Sequence, residues 1–85
     1  MRRLEQPFES IESAQEFVRL LAEAAEDAQA EVDGLIAEMM AAKQARREEA
    51  LRLVAHKLDR LLLHLNKSQR LLKDLRTLRR LLEGG

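Results

Sequence analysis

From Ile11 to Ala42 the chain places an apolar residue at alternating steps of three and four: Ile11, Ala14, Val18, Leu21, Ala25, Ala28, Val32, Leu35, Met39 and Ala42. The pattern stops in a stretch that is polar on every face, residues 43–49. It resumes in another phase at Leu51, Val54, Leu58, Leu61, Leu65, Ser68, Leu72, Leu75 and Leu82, flawed only by Ser68 and Arg79. A seven-residue apolar repeat is the seam of helices that cross at a shallow angle. Strands are not expected: β-branched residues are few, and Phe8 and Phe17 are the only aromatics. The fold class read from the pattern is all-α.

The break divides the chain. Residues 1–9 read as an N-terminal arm, 10–42 as an acidic first helix, 43–49 as a polar turn, and 50–83 as a basic, leucine-rich second helix, all within one domain. Ser10 or Ser13 can cap the first helix, because either hydroxyl can accept from a free backbone N–H. Two helices of matched length on either side of a polar break predict an antiparallel hairpin. Against a turn, residues 43–49 contain no glycine, proline or asparagine and are good helix formers. A second candidate break lies at residues 66–68, where Ser68 can cap a third helix. One uninterrupted helix is the remaining alternative.

A hairpin turning near Ala45 pairs residues whose numbers add to about ninety, so Leu65 meets Ala25 and Leu72 meets Val18. Large leucines of the second helix then fill the space left by small residues of the first. The same register sets Glu38 near Arg52, Asp33 near Lys57 and Glu23 near Lys67.

Eighty-five residues leave a single chain short of apolar surface to bury. Apolar side chains nevertheless remain beyond one seam: Phe17, Leu20, Ile36 and Met40 on the first helix, and Leu62, Leu63, Leu71 and Leu78 on the second. These predict an outer face that meets another helical surface, most simply in a homodimer forming a four-helix bundle.

Charge adds a second pattern. Net charge is zero, but residues 1–42 hold three basic against ten acidic residues, −7, and residues 43–85 hold twelve against five, +7. An acidic helix beside a basic one accounts for this within the molecule. Alternatively, Lys67, Arg70, Lys73, Arg76, Arg79 and Arg80 offer contacts to a polyanion. Their three-residue spacing winds around the helix, and no aromatic is interleaved to stack on bases, so this nucleic-acid signal is the weaker reading.

Chemistry has little to work with. There is no cysteine, which suits a reducing compartment. His56 and His64 lack a glutamate three residues earlier, so the paired Glu-x-x-His of carboxylate-bridged metal bundles is missing. No glycine-rich phosphate loop occurs, and Ser68 has no neighbouring base. No stretch approaches the roughly 20 apolar residues of a membrane span. The expectation is a cytoplasmic, non-enzymatic helical oligomerisation or docking module without cofactor, metal or membrane; the alternative is a small nucleic-acid-associated or regulatory protein using its basic helix.

Overall fold

Good helix formers dominate both halves of the chain, and helices are what form. A computed structural model describes residues 6–84, with side chains from Ser10 onward. It contains α1, Gln6–Ala41, and α2, Ala45–Leu82, packed antiparallel along their length, with no strand among the described residues. The result is a rod 62 × 20 × 14 Å.

The boundaries depart from the sequence expectation at three places. Helix α1 starts at Gln6, so residues 6–9 of the expected arm are helical, while residues 1–5 lie outside the described residues. Pro7 falls in the first turn, where a missing N–H sacrifices no helical hydrogen bond. Ser10 and Ser13 therefore lie inside the helix instead of capping it. The turn expected over residues 43–49 closes within residues 42–44, and residues 45–49 are already helical. Finally, α2 runs unbroken through residues 66–68, so no third helix forms.

The turn reverses the chain with two hydrogen bonds. The Lys43 N–H donates to the Met40 carbonyl at 3.1 Å and the Gln44 N–H to the Met39 carbonyl at 2.9 Å. This paired closure satisfies the last carbonyls of α1 and needs a left-handed residue between the helix and its exit. Lys43 supplies it at φ 58°, although a side chain makes that conformation costly. Gln44 then opens α2: its carbonyl accepts from Glu48 N–H at 2.9 Å, but its side chain caps nothing.

The seam becomes clear once the repeat is lettered. Let a denote Ile11, Val18, Ala25, Val32 and Met39 on α1 and Leu51, Leu58, Leu65, Leu72 and Arg79 on α2. All ten are buried or half-buried. Their companions are not the expected positions three residues on, d, but those four residues on, e. At e stand Gln15, Ala22, Gln29 and Ile36 on α1, and Ala55, Leu62, Gln69 and Arg76 on α2, each buried or half-buried. Leu21, Leu35, Val54, Leu61, Leu75 and Leu82, expected in the seam at d, are exposed. Burial is deepest at Ala22, Ala25, Val32, Ile36 and Leu65. Leu65 packs on Ala22 and Ala25, flanked by Val18 and Leu62. Alanine on one side lets the rods approach closely, and leucine on the other fills the gap.

The register agrees with the expected pairing. Gln15 meets Arg76, Gln29 meets Asp59 and Met40 meets Arg52, each pair adding to about ninety. The predicted ion pairs do not form where expected. Glu23 binds Arg19 on its own helix, and Arg52 binds Glu48. Neighbours one turn apart reach each other with less loss of side-chain freedom than partners across a seam.

Two outcomes follow. Leu65→Ala should cost about 2–5 kcal/mol in urea or thermal unfolding, because it empties the deepest contact, whereas exposed Leu63→Ala should shift stability by no more than about 0.5 kcal/mol. Lys43→Gly should raise stability by about 1 kcal/mol by relieving the left-handed side chain, and Lys43→Val should lower it.

Candidate docking face

Taking a and e for the seam leaves five positions around each helix, and they sort by chemistry. Position d and its neighbour g lie on one flank of the seam; b and f lie on the other. Antiparallel rods that use the same two positions are related by a twofold axis perpendicular to their common plane. Such an axis leaves the two faces of the hairpin distinct. The d and g positions of both helices therefore share one face, and b and f share the opposite one.

The d/g face is apolar. It carries Phe17, Leu21 and Leu35 from α1, and Val54, Leu61, Leu71, Leu75, Leu78 and Leu82 from α2, all exposed. Phe17 is 66% exposed and Leu71 63%. Ala14, Ala24 and Ala28 fill the α1 side between them. Leu20, Leu53 and Leu81 stand one position further round, also exposed. Charges on this face are Glu31 and Glu38 from α1, and Arg47 and Lys57 from α2, with His64 beside them. The b/f face is polar: Glu12, Glu16, Arg19, Glu23, Glu26 and Asp33 from α1 look out beside Arg52, Asp59, Lys73 and Arg80 from α2.

The residues expected on the outer face divide three ways. Phe17, Leu71 and Leu78 lie on the d/g face, with Leu20 at its border. Ile36, 9% exposed, and half-buried Leu62 are inside the hairpin seam, which corrects their expected role. Met40 and Leu63 are exposed on the polar side; the Met40 sulfur lies 3.4 Å from the Arg52 guanidinium. Sequence reading credited Leu21, Leu35, Val54, Leu61, Leu75 and Leu82 to the seam, and so missed them as members of the outer face.

The basic spiral is similarly divided. Lys67, Arg70, Lys73 and Arg80 are exposed, but Arg76 and Arg79 are half-buried at the open end of the hairpin. Arg79 Nη2 donates to Glu12 Oε2 at 2.8 Å. Arg76 Nη2 stands 3.7 Å from the same oxygen, and Arg76 Nη1 donates to Gln15 Oε1 at 2.9 Å. A shallow solvent-open groove beside this cluster is lined by both signs of charge. The Arg79 hydrogen bond and charge, aided by the Arg76 charge, hold the Glu12 carboxyl below the usual carboxylate range. Arg19 does the same for Glu16.

Among the described residues no three histidine, cysteine or acidic side chains gather as metal ligands, and no helix is long and apolar enough to cross a membrane. Compared with protein-family models, curated proteins and solved structures, the chain matches none.

The Glu12 link has a defined pH dependence. Because its folded pKa is depressed, its stabilisation is present above the ordinary carboxylate range and is lost as pH falls through the folded value. In an NMR titration of side-chain carboxyls, Arg79→Gln should raise the Glu12 midpoint toward the ordinary range and leave Glu16 low.

Proposed function

We propose that the protein is a non-enzymatic helical docking module that self-associates through its d/g face into a four-helix bundle. The carrying observation is the segregation itself. Nine of the large apolar side chains that are exposed among the described residues fall on the d/g face, with three more at its border, and only Met40 and Leu63 lie on the other side. Randomly exposed leucines are ordinary on protein surfaces, but a contiguous apolar face is the mark of a contact surface.

The exposure of these individual side chains supports the same reading. Covering one half-exposed leucine gains about 1 kcal/mol, and the face offers such residues along its whole length. Each helix of a four-helix bundle has two neighbours, which matches an apolar stripe three positions wide.

The nucleic-acid reading has less behind it. Two of its six cations are drawn into the hairpin by Glu12 and Gln15; Arg70, Lys73 and Arg80 share the polar side with many carboxylates, and Lys67 stands between the two faces.

Sedimentation equilibrium separates these readings. The native chain should sediment as a dimer at about 100 µM. Leu61→Lys with Leu75→Lys should yield a monomer that keeps its helicity, because both residues lie outside the seam, whereas Leu63→Lys on the polar side should leave the dimer intact. A native chain that is monomeric and fully helical at that concentration overturns the proposal. Oligonucleotide binding that falls steeply with salt would favour the alternative.

A further inference from the structure

The self-association proposed above leaves two symmetric ways to lay one d/g face on another. A twofold axis parallel to the rods keeps both turns at the same end and sets α1 of each copy against α2 of the other. A twofold axis across the rods puts the turns at opposite ends and sets like helices together. We infer that the partner is a second copy of this chain in the first arrangement, with acidic and basic helices alternating around the bundle and Glu31 of each copy beside Lys57 of the other. This inference rests on the docking-face reading and adds its geometry.

Charge on the face itself carries the choice. Among the described residues of the d/g face, α1 presents Glu31 and Glu38 and no cation; α2 presents Arg47 and Lys57 and no carboxylate. Opposite signs therefore meet only when α1 faces α2. Like helices together would set Glu31 and Glu38 on a surface with no basic residue, and Arg47 and Lys57 on one with no acidic residue. With turns at opposite ends, each of these charges would be desolvated against small or apolar residues with no counter-charge, which opposes association. The wider field agrees, because residues 1–42 carry −7 and residues 43–85 carry +7.

Register then follows without adjustment. A twofold axis along the rods preserves height, so each residue of α1 lies level with the same stretch of α2 in the second copy as in its own. The hairpin pairs Gln29 with Asp59, which brings Glu31 level with Lys57. Phe17 is then level with Leu71 and Leu75, and Ala28 with Leu61. Large side chains of one copy face small or aromatic ones of the other, as close packing requires.

Spin labelling at the turn reads the arrangement directly. The chain contains no cysteine, so Gln44→Cys labels one exposed site at the end of the rod. Pulsed dipolar spectroscopy of the dimer should give a distance below about 30 Å, since only bundle width separates the two turns. A separation near the 62 Å rod length overturns the inference while leaving self-association standing. A monomeric mass with no dipolar signal overturns both. As a second measurement, Glu31→Lys should weaken dimerisation about three- to tenfold, and adding Lys57→Glu should recover most of the loss. Independent effects of the two changes, with no recovery, count against the pairing.

Discussion

Two straight rods touch along a single line, and a helix with apolar residues at three of its seven repeat positions has more to bury than one line covers. That mismatch governs this molecule. The seam takes a and e, and the core it makes is thin: alanine, valine, one isoleucine and one leucine are its deepest members, and no side chain among the described residues is wholly enclosed. What the seam leaves out is not scattered. Because both helices use the same two positions, the geometry collects the leftover d and g residues of both on one face and many of the carboxylates and cations on the other. A molecule with almost no interior thus acquires two chemically opposite sides.

The a positions were legible in the sequence on both helices, as was the register, since a seven-residue repeat and a matched pair of lengths determine both. The second line of the seam was not. Position d, with Leu21, Leu35, Val54, Leu61 and Leu75, is more apolar than e, where Gln15, Gln29, Gln69 and Arg76 alternate with alanine, isoleucine and leucine. Hydrophobicity alone selects d. The hairpin nevertheless closes on e, where alanines at 22 and 55 let the rods approach and long polar side chains bond across the seam edge, as Arg76 does to Gln15. Of the two candidates for the second line, the more apolar is the one that the folded hairpin leaves largely uncovered. Ile36 and Leu62 were misassigned for this same reason, being e residues read as surplus.

Turn and termini failed to read for a different reason. A polar run without glycine signals the end of an apolar repeat, yet its residues are intrinsically helical, so α2 begins as soon as the chain has reversed. The reversal needs only one left-handed residue, and Lys43 adopts that conformation without any sequence signature. Ser10 and Ser13 offered caps, yet α1 extends back through Pro7, which in a first turn does not end a helix. At the candidate site, Arg76 and Arg79 read as part of a basic surface because spacing cannot reveal that Glu12 stands opposite them. Only the fold brings that carboxylate across.

In the proposed bundle the separation of charge acts mainly between molecules. Within the hairpin, a three-residue turn already forces α1 and α2 to be antiparallel neighbours whatever their charges, and the ion pairs that do form lie mostly along one helix: Arg19 with Glu16 and Glu23, Arg52 with Glu48. Across the seam, Glu12 with Arg76 and Arg79 closes the open end. A separation of −7 from +7 is far more than this closure uses. Where no covalent link dictates the neighbour, long-range charge does. Between two hairpins joined at their apolar faces, either symmetry covers the d/g leucines. Sorted charge breaks that tie, and in the proposed bundle every acidic rod stands between two basic ones, so the same pairing that the turn enforces inside each copy is repeated between copies by electrostatics.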